Sequence, residues 1–172
     1  MLGRRAFVSE CAGFSRARRV VILIPRVKIN LPRLKLDCKA LLCLAIARLL
    51  VLCPTRLWLK FLGWSVVPFG VSREVCGELQ SRVAFAAESV RIISRKVPWR
   101  ADCLPQAVAL LLLVGPARGS CEIVLGAAKG VSGEMSAHAW VRVGSQVVLG
   151  RNEISRFQPV ALLVAGGVEG RS

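Results

Sequence analysis

Histidine is almost missing from this chain. His138 is the single one in 172 residues, and that scarcity removes several kinds of chemistry. One imidazole cannot complete a Cys/His finger. None of the seven cysteines (Cys11, Cys38, Cys43, Cys53, Cys76, Cys103, Cys121) stands in a C-x-x-C pair. A structural zinc site is therefore not expected. No disulfide spacing stands out either, and a reducing setting fits best. Cys38, Cys43, Cys53 and Cys76 lie in apolar, helix-like stretches, where a free cysteine is expected as a small core residue.

Acids are scarce too: 10 Asp and Glu against 25 Lys and Arg, a net charge of +15. Between Arg4 and Lys39 only Glu10 and Asp37 oppose a run of basic residues. Such an excess favours acidic partners: nucleic acid, anionic lipid or an acidic peptide. No helix-turn-helix, RNP-like aromatic motif or phosphate loop accompanies it, which argues against nucleic acid. Long apolar runs are also absent. The longest, ALLCLAIARLLVLCP from Ala40, is about 14 residues and broken by Arg48, against the ~20 a bilayer needs. The basic start offers only VVILIP before a proline, too short for a secretory signal. A cytoplasmic location is expected, with contact to the inner leaflet as the alternative.

What is present is 54% apolar residues, enough to bury a core in one ordinary domain. Residues 1–35 read as a basic arm broken by Pro25 and Pro32. Residues 36–71 read as a helical lead-in: Leu36 to Cys53, then a shorter helix from Pro54-Thr55 to Leu62, then a turn region from Gly63 to Gly70. Residues 72–172 read as the core. Ser72 is a plausible N-cap, with Glu74 in the first turn of a helix reaching Arg95. Pro98 stops that helix. LPQAVALLLLVG follows, apolar on all sides and expected at the centre of the fold, with Pro105 in its first turn. Gly115 and Gly119 bracket the next turn. CEIVLGAAK, MSAHAWVRV and QVVLG then switch to the strand period, the last two joined by a Gly144-Ser145 hairpin. PVALLVAG is a further strand. The outline is α+β: N-terminal helices, then one central helix packed on an antiparallel sheet.

Cys103 opens the central helix, so its thiol faces unpaired backbone N–H groups and the positive end of the helix dipole. That setting favours the thiolate, the nucleophilic form. An imidazole beside it would favour it further and return a proton to the leaving group. His138 lies in a strand, with Ala137 and Ala139 alternating to the opposite face. A helix start and a strand side chain can be brought together where a helix packs on a sheet. The bland alternative is an inert cysteine and a half-buried histidine.

PWRADCLPQAVALLLL, EIVLGAAKG, SAHAWVRVGSQVVLG and RFQPVALL together resemble the C-terminal core of the lasso-peptide leader peptidases, the microcin-processing family with a transglutaminase/papain-like core. The resemblance spans about residues 36–165. It implies a cysteine peptidase that removes the leader from a ribosomally made precursor peptide, with Cys103 as nucleophile and His138 as base. It also implies two partners besides the precursor: a small leader-recognition protein and an asparagine-synthetase-like macrolactam cyclase. The residues call for no cofactor, and the resemblance leaves ATP dependence open. Many members carry an aspartate about twelve residues beyond the histidine. That position here is Gly150, so the third role passes to Asn152 or Glu153, an amide being able to orient an imidazole. Asp102 belongs to the helix start. Trp99 and Trp140 are candidates for a cleft wall, with core packing the stronger expectation for Trp140. Gln106 is a candidate oxyanion donor, against an ordinary helix position. The competing function is a non-catalytic transglutaminase-like scaffold that binds precursor or partner proteins.

Overall fold

The computed structural model describes residues 31–69, 77–152 and 154–165. Four helices and a five-stranded antiparallel sheet make up the core. Helix α1 (Leu31–Leu52) starts earlier than the sequence suggests, because Pro32 falls in its first turn, where a missing N–H costs nothing. It buries only Ala40, Leu44 and Ala47, at four- and three-residue spacing, against α3 and α4. The rest of α1 carries exposed leucines and the exposed Cys38, and Cys53, just past its end, is exposed as well. The expectation that Cys38 and Cys53 are core residues is thus corrected: among the described residues α1 packs on one side only. Cys43 is half-buried, and burial raises its thiol pKa while Lys39 acts the other way. Cys76 lies outside the described residues.

Helix α2 (Thr55–Leu62) keeps the bounds its proline and glycine impose. Pro54 precedes it, and the Gly63 N–H caps it by donating to the Leu59 and Lys60 carbonyls. The segment after Gly63, expected as a turn, is instead strand β1 (Trp64–Pro68). Its pairing with β5 (Gln158–Ala165) runs from Trp64 opposite Ala165 to Pro68 opposite Ala161. Pro68 is tolerated because β1 is an edge strand. Helix α3 (Gly77–Ser94) buries Val83, Ala86, Ala87 and Val90. Ser72 and Glu74, expected to start it, lie outside the described residues.

Helix α4 (Cys103–Val114) is the central helix. Ala107 through Leu111 have no exposed surface. A two-turn 3₁₀ segment (Gly115–Ser120) leads into β2 (Cys121–Lys129), β3 (Met135–Val143) and β4 (Gln146–Leu149). The strand order is β1-β5-β2-β3-β4. Alternation gives the sheet two faces. Cys121, Ile123, Ala139, Val141, Val143 and Leu163 pack with the helices. Val124, Trp140 and Leu162 form a smaller cluster on the second face. There Glu122 and Arg142, opposite each other on β2 and β3, form a buried ion pair at 2.6 Å, with the Arg142 guanidinium 5.0 Å from the centre of the Phe69 ring.

Candidate active site

Cys103 is the first residue of α4, and Asp102 is its N-cap. Asp102 makes no side-chain cap hydrogen bond; its carboxylate stands 3.8 Å from Arg100. Its carbonyl accepts the Gln106 N–H, the first bond of the helix. Pro105 has no N–H to offer. The N–H groups of Cys103 and Leu104 therefore stay available as donors at the helix start. Gln106 returns its side-chain amide to the Ala101 carbonyl at 2.6 Å, which ties the preceding loop to the helix.

The half-buried Cys103 thiol and His138 line one cleft of about 1020 Å³. One wall is α3, through Ala84, Ala87, Glu88 and Arg91; the other is β4 with the segment Gly150–Asn152 that follows it. Alternation along β3 sets Ala139, Val141 and Val143 against the helices, so His138 shares the second face with Trp140. The same cleft touches His138, and β4 with the segment Gly150–Asn152 forms the wall beside it. Among the described residues no hydrogen bond joins the thiol and the imidazole. Such contacts often tighten only when substrate is bound.

The imidazole is held on three sides. Trp140 stacks at 5.9 Å between ring centres and Phe157 lies tilted at 5.2 Å. Opposite His138 on β2 is Gly126, where a Cβ would come within 2.6 Å of the Trp140 ring; the missing side chain gives that ring its place. The third contact fixes the tautomer. Nε2 lies 2.9 Å from the carbonyl oxygen of Gly150. A carbonyl only accepts, so Nε2 carries the hydrogen and Nδ1 is left to exchange protons.

That contact falls on the position where the sequence resemblance asked for an aspartate. Gly150 has φ +77°, and a Cβ there would lie 2.8 Å from the Ala139 carbonyl oxygen and 3.0 Å from Trp140. A side chain does not fit; the backbone supplies the acceptor instead. Asn152, expected for this role, lines the cleft but makes no hydrogen bond to the imidazole among the described residues. Glu153 lies outside them. Trp140 is a buried residue of the second cluster. Trp99 is not among the cleft-lining residues. Sequence reasoning missed Phe157 and the Gly150 carbonyl. Only the twelve-residue count from His138 pointed to the second.

The helix start, the strand histidine and the loop that closes on it lie in one continuous stretch. A family model for the transglutaminase-like superfamily matches residues 49–162, from the last turns of α1 into β5. No curated protein and no solved structure matches the chain. With two thirds of its length under that model, and with Cys103, His138 and Gly150 all inside it, the chain belongs to the transglutaminase-like superfamily.

Proposed function

We propose that this protein is a cysteine peptidase that removes the leader from a ribosomally synthesised precursor peptide in lasso-peptide maturation. The observation that carries the chemistry is the shared cleft: a thiol at a helix N-terminus and an imidazole whose Nε2 is committed to a carbonyl. The Cys103 thiolate attacks the scissile carbonyl carbon, and the C=O electrons move onto oxygen. The N–H groups of Cys103 and Leu104 face that oxyanion. The C–N bond then breaks, the imidazolium Nδ1–H protonates the leaving amine, and a thioester remains. Nδ1 next takes a proton from water as the water attacks the thioester, which releases the acid and restores the thiolate. Gly150 takes the positioning role by holding Nε2–H.

The choice of a leader as substrate rests on the PWRADCL and AHAWV motifs at their spacing. A leader-recognition protein would present the precursor, docking on the basic early helices around Arg56 and Lys60. The second reading, a scaffold that binds without cutting, draws on the lack of a carboxylate beside His138. The two separate in one assay. Purified chain is mixed with a lasso precursor and a leader-recognition protein, and the products are weighed by mass spectrometry. Cleavage at one site, lost in Cys103→Ala, is expected; binding of precursor with no cleavage leaves only the scaffold.

A further inference from the structure

We infer that the cleft contains a carboxylate-binding subsite formed by Arg95 and Arg151, so that the peptide bound beside Cys103 carries an acid. The inference rests on the peptidase reading for the identity of the ligand, but its charge logic does not. Both arginines line the cleft that holds Cys103 and His138. They come from opposite walls: Arg95 just past the end of α3, Arg151 just past β4.

Neither is neutralised by an acid of the cleft. Among the described residues the wall has two carboxylates, Glu88 and Asp102. Glu88 is bonded twice by Arg91, Nε at 2.9 Å and Nη2 at 2.7 Å. That pairing holds the Glu88 carboxyl below its usual range, and Arg33 and Arg95 also act on it, so one carboxylate faces three guanidiniums. Asp102 stands beside Arg100. Arg151 gives one N–H to the Val147 carbonyl at 3.2 Å. That bond lays its guanidinium along β4, and among the described residues no acid pairs with it. Two arginines lining one cleft suit a carboxylate, whose two oxygens accept from forked guanidinium donors.

The peptide carboxylate has two sources, an acidic side chain or a chain terminus, and the test separates them. Cys103 is alkylated with iodoacetate and with iodoacetamide, and modification is read residue by residue by mass spectrometry, with Cys38 as internal reference. The anionic reagent is favoured at Cys103 relative to Cys38, and Arg95→Gln and Arg151→Gln each lower that preference by about twofold, the effect of one charge about 10 Å away in water. Arg95→Lys and Arg151→Lys keep the charge and keep the preference. The preference shrinks as salt rises from 0.01 to 0.5 M. Three N-acetylated peptides then compete with iodoacetamide: Gly-Asp-Gly amide, Gly-Asn-Gly amide and Gly-Asn-Gly with a free C-terminus. Better protection by the Asp amide assigns the subsite to a side chain; better protection by the free acid assigns it to a terminus. Equal protection by all three, or an iodoacetate preference unchanged in both Gln variants, overturns the subsite. Alkylation needs no peptide cleavage, so a charge-biased Cys103 in a chain that cuts nothing would remove the peptidase reading and leave the subsite standing.

Discussion

Helices α1 and α4 look alike in the sequence and differ in the fold. Both carry aliphatic residues on nearly every side. In α4, Ala107 through Leu111 have no exposed surface. In α1, Leu42, Leu49 and Leu52 are 62%, 66% and 67% exposed. The difference comes from neighbours. α4 packs against α1, α3 and β3, whereas among the described residues α1 has packed elements on one side only. Apolar composition thus sets how much a helix can bury, and its place in the layers sets how much it does bury. The contrast extends to thiols: Cys103 on α4 opens onto the cleft, while Cys38 on α1 and Cys53 just past its end are merely exposed.

The largest effect tests that contrast directly. Cys103→Ala should lower precursor cleavage by at least about 10³-fold, as removal of a nucleophile does. Cys38→Ala and Cys53→Ala should cleave at the wild-type rate. Loss of activity in an α1 variant would break the distinction between the two helices.

Stability comes next. Leu110→Ala deletes a fully buried side chain and should cost about 2–5 kcal/mol. Leu49→Ala removes an exposed one and should stay within about 0.5 kcal/mol. Urea titrations of both variants measure this. Similar losses would mean that the outer face of α1 is covered in solution.

A smaller effect distinguishes two glycines. Gly150 and Gly133 both have positive φ, +77° and +91°, but a Cβ at Gly133 meets nothing within 4 Å. Gly133→Ala costs only the backbone strain, about 1 kcal/mol. Gly150→Ala adds a clash with the Ala139 carbonyl and displaces the acceptor of Nε2–H, so kcat should fall while KM holds. Asn152→Ala should leave kcat unchanged. If instead Asn152→Ala lowered kcat and Gly150→Ala did not, the amide would be the group that orients His138.

The smallest effect concerns pH. Burial pushes the Cys121 thiol from 9.0 to about 11. The folded state keeps the proton that the unfolded chain loses, so this contribution is whole below pH 9 and is lost as pH rises towards 11. Stability should fall there by up to about 1.4 kcal/mol per pH unit. Cys121→Ala should flatten that slope in thermal melts between pH 8 and 11, and Cys38→Ala should not. An unaltered slope in Cys121→Ala would assign it to other groups.

Much of the fold was legible because local chemistry marks it. Pro54 and Gly63 bound α2, Pro98 precedes the α4 start, and the change to a two-residue period at Cys121 marks the sheet. That Cys103 starts a helix and that His138 lies in a strand was legible for the same reason. Strand β1 was not, since its only partner, β5, lies nearly a hundred residues downstream and no local pattern encodes such a pairing. Nor was the Gly150 acceptor: a carbonyl is common to every residue, and what singles this one out is the closeness of Ala139 and Trp140, which only the folded chain shows. The sidedness of α1 was hidden in the same way.

The strand order has a consequence for synthesis. β5, the last strand described, is inserted between β1 and β2 and joins them. A chain emerging from the ribosome can form the β2–β3–β4 meander early, with both Cys103 and His138 already made. Until Gln158–Ala165 clears the exit tunnel, however, β1 has no partner and β2 keeps an open edge. Completion of the sheet therefore waits on a contact of high sequence separation, the slow kind in folding. A nascent chain arrested before residue 158 should present an unpaired β1 and an open β2 edge to chaperones and proteases.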